Sequence, residues 1–204
     1  RFEGKEKVKI IPNGIDTDFY QQIPFEKKYD LFFSGNLRYP PNVDASLFIV
    51  DEILPLLKSK IPNIKVLIAG AAPNSKILSL QSDTVDINGW VDDVRDYYKQ
   101  AKIFLAPMQI GTGLQNKLLQ AMAMKIPCLT SELTRKGIVS SGENVMLVAD
   151  TPNEYANLII KLLNDQVYAN EIAELGCNFV KANYDWKQIT QNLEQIFFST
   201  ISKK

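Results

Sequence analysis

The segment 107–124 contains the residues best suited to chemistry in this chain. An apolar strand pattern at 103–106 leads into a loop with Gly111 and Gly113, and a helical pattern follows. Backbone N–H groups at a helix start, together with the helix dipole, form a natural phosphate site. Lys117 falls in the first helical turn, where a cation is unfavourable for the helix but would be stabilised by a bound diphosphate. The alternative is a solvated surface lysine without a ligand.

Glycines also follow three other predicted strands, in Gly35-Asn36, Gly70-Ala71 and Gly89-Trp90. Ligands of parallel α/β sheets bind beyond the carboxyl ends of the strands, and glycine allows a ligand to approach the backbone closely. Tight turns are the commonest use of glycine, so each of these residues alone has that simpler explanation. Together they indicate a ligand crevice at this edge of the sheet.

The composition excludes several kinds of active site. The 204 residues include no histidine, which removes Ser-His-Asp triads and the common zinc sites. Cys128 and Cys177 are typical of small apolar thiols in a reduced, cytoplasmic protein. Basic and acidic residues balance at 23 each, without a long basic run, which argues against nucleic acid as the main partner. No apolar run approaches the length of about 20 residues that a membrane span needs.

Asp16-Thr17-Asp18 has the spacing of a metal-binding Asp-x-Asp element. It follows Asn13-Gly14 rather than a core strand, and aspartate in such a place more often forms turns and caps. We therefore predict a turn here and no metal site.

The elements that position these residues follow from hydrophobic periodicity. Six strands are predicted from apolar runs between turn residues, at 31–34, 64–69, 85–88, 103–106, 127–130 and 145–148. The clearest helix has its apolar stripe between Val43 and Leu57, with Pro55 expected to kink or end it. Weaker helices are predicted at 75–81, 93–99 and 114–124. Alternating strands and helices predict a doubly wound, Rossmann-like parallel α/β sheet of about six strands, with helices on both faces.

The last third of the chain is predicted to be helical. Thr151, Pro152 and Glu154 form a capping box at the start of one helix, a second covers about 169–181, and Asp185 caps a third. We predict a single domain, with the sheet core in about 1–150 and the C-terminal helices in about 151–204. The chain starts without methionine or a signal-like stretch, so it is expected to be a fragment.

These pieces together resemble glycosyltransferase family 4 (group 1) of the GT-B-type transferases, in its C-terminal, donor-binding lobe. The segment 107–124 resembles the donor-site signature, in the branch with Gly-x-x-Asn-Lys or Gly-x-x-Leu-Lys before Leu-Glu-Ala-Met-Ala. Other similar pieces occur in the family's order, at Asn13 to Asp16, Phe33 to Leu37, Pro41 to Ala45, Asn88 to Val94, Gly142 to Asn144 and Tyr184 to Trp186. The resemblance covers nearly the whole chain.

The resemblance implies a role for each site residue. The donor diphosphate would be bound by Gly35, Asn36, Arg38, Gly111, Gly113, Leu114 and Lys117. Thr112 would lie near the transferred sugar, Gln120 would bind the ribose hydroxyls, and Trp90 and Val91 would meet the nucleobase.

Two departures from the family pattern affect this site. The family's two glutamates, eight positions apart, are replaced by Thr112 and Gln120, and loss of the second is the less usual. The family's Arg and Lys after the first strand are replaced by Asn36 and Pro41. Arg38 either takes over their phosphate contacts or is a solvated loop residue. Gln120 either binds ribose or caps a polar pocket between helix and sheet.

The resemblance implies that the full enzyme transfers a sugar from a UDP- or GDP-linked donor to an acceptor hydroxyl, with retention of configuration and without a metal or other cofactor. The acceptor, a sugar, a lipid-linked or a small molecule, would bind to an N-terminal lobe absent from this chain, so the chain alone is expected to be inactive. The expected context is cytoplasmic, in cell-surface polysaccharide biosynthesis, and compatible with peripheral membrane association of the full-length enzyme.

Two alternatives remain open at this point. A nucleotide-sugar epimerase of similar architecture would need catalytic carboxylates and histidines that are absent here. A non-catalytic nucleotide-sugar-binding or partner-binding module fits the departure at Gln120.

Overall fold

The computed structural model describes residues 8–111, 113–139 and 144–201, and six parallel strands form one sheet in it. The strands are β1 (Tyr29–Ser34), β2 (Val66–Ala69), β3 (Val85–Asn88), β4 (Ala101–Ala106), β5 (Cys128–Thr130) and β6 (Leu147–Val148). Their order is β3-β2-β1-β4-β5-β6, and every pairing is parallel. The predicted doubly wound α/β fold is confirmed, and a strand lies in each of the six predicted regions.

Helices connect the strands and form the C-terminal third. They are α1 (Pro40–Leu47), a π-helical segment (Phe48–Ile53), α2 (Leu54–Lys58), α3 (Ser75–Leu78), α4 (Arg95–Tyr98), α5 (Asn116–Ala123), α6 (Glu132–Arg135), α7 (Pro152–Asn164), α8 (Gln166–Asn183) and α9 (Trp186–Ile201). The predicted capping box at Thr151 and Glu154 is present, which confirms the start of α7. The sequence did not predict α6.

The irregularity expected at Pro55 takes the form of a wider helical turn rather than an end. The N–H of Leu54 donates to the carbonyl of Ile49, five residues earlier, so the helix is π-helical just before the proline. Pro55 follows directly as the second residue of α2, so the wider turn lies where proline cannot supply a regular helical N–H bond.

Both faces of the sheet are apolar and buried, as the strand pattern predicts. Leu31 and Phe33 of β1 pack in one core cluster beneath α1, α2 and α7, whereas Phe32 packs in the other, beneath α5 and α8. Cys128 and Cys177 are free and buried in this apolar environment. The sheet is therefore a rigid platform for the loops at its edges.

The strand order reverses between β1 and β4, so β1 leads to α1 on one face of the sheet and β4 leads to α5 on the other, which leaves a crevice between the two loops. Gly35 follows β1, and the loop toward α5 follows β4. The segment most favoured for chemistry therefore leaves the sheet at the point where doubly wound folds bind ligands. No helix within the described ranges is long and apolar enough to cross a membrane.

Candidate functional site

Two cavities meet at the carboxyl edge of β1. The large cavity, about 520 Å³, is bordered by the ends of β1, β2 and β3, by Trp90 and Val91, and by Lys117 and Gln120 of α5. The small cavity, about 240 Å³, is bordered by the start of α1, by the loop after β4, and by the first turn of α5. Gly35 and Lys117 border both cavities, so these residues mark the junction.

The structure brings most of the predicted site residues together. The large cavity is lined by Gly35, Asn36, Trp90, Val91, Lys117 and Gln120, and Gly111 lines the small one. Three of the proposed diphosphate ligands line neither cavity: Arg38, Gly113 and Leu114. The side chain of Leu114 instead packs against the core, while Arg38 is exposed on the surface. Thr112, Gly142 and Glu143 lie outside the described residues.

Lys117 has neutral neighbours. Its Nζ lies 2.6 Å from Asn42 Oδ1, 3.6 Å from Met108 Sδ and 4.4 Å from the centre of the Phe33 ring. None of the ion pairs among the described residues includes it. Burial without a counter-ion disfavours the charged form and lowers the pKa of Lys117 to about 7. The alternative of a solvated surface lysine therefore does not describe this side chain.

Asn42, which sequence reasoning did not select, holds Lys117 in place. Its Nδ2 donates to the carbonyl of Asn36 at 3.0 Å, which turns Oδ1 toward the ammonium group. A Cβ atom at Gly35 would lie 2.6 Å from that Nδ2, so the close approach of Asn42 requires glycine there. Asn42 lies in the family-like piece from Pro41 to Ala45, but nothing in the sequence connects it with Lys117.

The start of α5 is open toward the small cavity. The side chain of Gln115, the N-cap residue, makes no hydrogen bond to the first N–H groups of α5. The preceding Gly111 and Gly113 have φ values of +99° and +98°, a conformation that other residues rarely adopt. This loop and helix start provide the backbone geometry of an anion site.

Gln120 lines the large cavity while both ends of its carboxamide are hydrogen-bonded. Nε2 donates to the hydroxyl of Tyr20 at 2.9 Å, and Oε1 accepts from the hydroxyl of Tyr98 at 3.1 Å. Tyr98 also lies 3.0 Å from the Lys117 carbonyl and 3.3 Å from Ser34 Oγ. Burial raises the pKa of Tyr98, which keeps it a neutral hydroxyl. Gln120 therefore belongs to a hydrogen-bonded polar group with Tyr20 and Tyr98, and it also lines the large cavity.

The turn predicted at Asp16 is confirmed. Asp16 Oδ1 accepts from the N–H groups of Asp18 and Phe19, at 3.1 and 2.9 Å. Asp18 pairs with Lys187 on the surface at 2.9 Å. Over the described ranges, no group of three or more His, Cys, Asp or Glu residues is arranged to hold a metal ion.

The family profile described as "Glycosyl transferases group 1" matches residues 28–165. That range contains β1 through α7, and with them all the residues that line the two cavities, including Lys117 and Gln120. The chain belongs to the group 1 glycosyltransferases. Membership confirms the predicted family and removes the epimerase alternative.

Two relatives are similar over nearly all of this group 1 chain. One is an uncharacterized 44.6 kDa protein from the cps region of Klebsiella pneumoniae, 25% identical over 94% of the chain and 54% of its own length. The other, an uncharacterized glycosyltransferase of Methanocaldococcus jannaschii, is 24% identical over 96% of the chain and 51% of its own length. The chain thus spans about half the length of the curated relatives it matches.

Among solved structures, the fold is similar to that of HepE from Anabaena in complex with UDP and glucose. The TM-score is 0.76 at 17% identity, and the match covers 95% of this chain and 57% of HepE. At this identity the comparison establishes the shared GT-B-type fold of this group 1 domain.

Proposed function

We propose that this group 1 chain is the nucleotide-sugar-binding lobe of a retaining glycosyltransferase, which transfers a sugar from a UDP- or GDP-linked donor to an acceptor hydroxyl without a metal. The observation that carries the proposal is the position of Lys117. It is a half-buried cation with neutral neighbours, at the junction of two cavities and beside an uncapped helix start. A diphosphate is the ligand whose charge and shape complement that arrangement.

The two cavities can bind different parts of a nucleotide sugar. The nucleobase lies in the large cavity against Trp90, a residue that is 76% exposed and whose indole offers a stacking surface. The ribose lies at Gln120, and the diphosphate reaches Lys117 and the start of α5. The sugar then extends toward Gly111 in the small cavity. HepE, with its bound UDP and glucose, supports a ligand of this class on this fold.

Catalysis in the full enzyme would rest on donor positioning and on stabilisation of the departing diphosphate. Lys117 and the N–H groups of α5 supply positive potential where the leaving group gains charge. The acceptor and its binding groups belong to an N-terminal lobe, and the relatives' additional half supports that assignment. In keeping with it, the chain alone is expected to bind the donor without turning it over.

A second candidate function is a non-catalytic nucleotide-sugar-binding module. The observation that favours it is Gln120, whose carboxamide already bonds to Tyr20 and Tyr98 and carries no charge for the ribose. Restoring the second lobe discriminates between the two functions, because only a transferase then turns over its donor.

The chain is expected to bind UDP or GDP with modest affinity and to bind the corresponding sugar nucleotide without transferring or hydrolysing its sugar. Calorimetry against UDP, GDP, ADP and their sugar derivatives measures binding, and product analysis measures turnover. Addition of EDTA should leave the affinity unchanged. A folded sample that gives no heat with any of these ligands would contradict the proposed function.

Gln120→Glu is expected to tighten nucleotide binding by about 1 kcal/mol, the difference between neutral and charged hydrogen bonds. A carboxylate can accept from Tyr20 and Tyr98 and still accept from the ribose hydroxyls. The gain should shrink for a 2′-deoxynucleotide, which lacks one donor. Comparison of ribo- and deoxyribonucleotide affinities in both variants measures this. If Gln120 serves only to hydrogen-bond Tyr20 and Tyr98, the substitution changes the stability of the chain and leaves the ratio of ribo- to deoxyribonucleotide affinity unchanged.

A further inference from the structure

We propose that Tyr20 is a positioning residue for ribose recognition: its hydroxyl orients the Gln120 carboxamide so that one N–H and one Oε1 lone pair face the large cavity. The inference rests on the proposed function, since it assigns the ribose to Gln120. Tyr20 does not itself line the large cavity, so it acts through the glutamine.

The hydrogen-bonding capacity of the amide leads to this assignment. A glutamine side chain has two N–H donors and two lone pairs on its oxygen. Tyr20 accepts one N–H at 2.9 Å, and Tyr98 donates to Oε1 at 3.1 Å. One donor and one acceptor remain, on a side chain that borders the cavity. A vicinal diol complements this pair, because one hydroxyl can accept while the other donates.

Glutamine needs Tyr20 in a way that glutamate would not. A carboxylate has only acceptors, whereas the carboxamide must place its N–H groups on acceptors of their own. Tyr98 faces Oε1 as a donor, with its single proton shared between Oε1 and the Lys117 carbonyl, so Nε2 finds its acceptor elsewhere. Tyr20 supplies the missing acceptor. The glutamine at 120 and the tyrosine at 20 are therefore complementary.

The segment that carries Tyr20 is fixed against α4, so its hydroxyl has a defined position. The ring of Phe19 lies 3.6 Å from the Arg95 guanidinium carbon and edge-on to the Tyr20 ring at 5.0 Å. Arg95 also donates to the Phe19 carbonyl at 3.0 Å, and Asp93 holds its guanidinium with both carboxylate oxygens. The Tyr20 N–H donates to the Asp16 carbonyl at 2.9 Å. Orientation of the amide by Tyr20 therefore costs little further ordering.

Tyr20→Phe is expected to lower the ratio of UDP affinity to 2′-deoxy-UDP affinity by about three- to tenfold, the equivalent of one neutral hydrogen bond. Calorimetry on the same sample with both nucleotides measures the ratio. Because both ligands meet the same folded fraction, a loss of stability does not alter this ratio. In a Gln120→Ala background, the same substitution should not change the ratio further, since Tyr20 acts through Gln120.

Tyr29→Phe is the matched control. Tyr29 is also half-buried, and its hydroxyl donates to Asp86 at 2.8 Å, but it does not line either cavity. Tyr29→Phe should leave the ratio of UDP affinity to 2′-deoxy-UDP affinity unchanged. No nucleotide binding by the unmodified chain would overturn the proposed function together with this inference. If the unmodified chain discriminates ribose and Tyr20→Phe keeps that ratio, the inference alone is wrong. An equal effect of Tyr20→Phe with and without Gln120 would also overturn the positioning role.

Discussion

Affinity for a nucleoside diphosphate sugar is expected to fall about ten- to fiftyfold as the pH rises from 6 to 9. In the free chain, burial lowers the pKa of Lys117 to about 7. A bound diphosphate stabilises the charged form and raises this pKa again. Above pH 7, binding of the sugar nucleotide is therefore accompanied by uptake of a proton, and the affinity falls as the pH rises further. Below pH 6, Lys117 is charged in both states and the affinity is constant.

We assign this pH dependence to Lys117, because the side chains in contact with its ammonium group are neutral. Asn42 of α1, Met108 after β4 and Phe33 of β1 face its ammonium group and carry no charge. The hydroxyl of Tyr98 contacts its carbonyl, and burial raises the pKa of that tyrosine. The cavity linings add three titratable side chains from other elements, Tyr39, Tyr97 and Asp92, of which Tyr97 also has a raised pKa.

Calorimetry in buffers of different ionisation enthalpy measures the proton uptake, expected at about 0.5–0.85 per bound ligand at pH 8. A sugar nucleotide is the appropriate ligand, because its esterified diphosphate keeps its charge over this range. Lys117→Arg retains a permanent cation and should bind without pH dependence. Lys117→Ala should also show no pH dependence and bind about 1.5–3 kcal/mol more weakly than the unmodified chain at pH 6. A flat profile for the unmodified chain, or the same slope in Lys117→Ala, would contradict the role of Lys117.

The fold and the location of the crevice could be predicted because their signals are local. Each strand is an apolar run between turn residues, and strand-helix alternation alone specifies a parallel sheet. Once the sheet is parallel, the residues after β1 and β4 must share an edge. The glycine loop and Lys117 followed from the same local pattern, a strand, a loop and a helix start.

The partners of the site residues could not be predicted, because they come from distant parts of the chain. Asn42 meets Lys117 across 75 positions, and Tyr20 meets Gln120 across 100. No spacing rule relates such residues. The direction of a side chain could not be predicted either. Leu114 follows the glycine loop, as the diphosphate assignment required, but its side chain packs against the core. The sequence located the site, and tertiary contacts decide how its side chains are held.

Gly70→Ala is expected to destabilise the chain by about 3–5 kcal/mol, the largest effect on stability that we predict. A Cβ atom at Gly70 would lie only 1.7 Å from the carbonyl oxygen of Gly35, where the ends of β2 and β1 approach each other. The φ of Gly70 is +149°, which is also strained for any residue with a side chain. Neither backbone can yield easily, because β1 and β2 are paired through Ser34 and Ala69 immediately before these glycines.

Gly89→Ala is the matched control for this substitution. Gly89 follows β3 as Gly70 follows β2, yet a Cβ atom there would meet nothing within 4 Å. Urea unfolding followed by circular dichroism should show a large loss of stability for Gly70→Ala and a change within about 0.5 kcal/mol for Gly89→Ala. Since Gly35 borders both cavities, any folded Gly70→Ala chain should also bind nucleotide more weakly. Equal stability of the two variants would contradict this prediction. It would mean that the fold does not depend on the close contact between Gly70 and Gly35 at the edge of the large cavity.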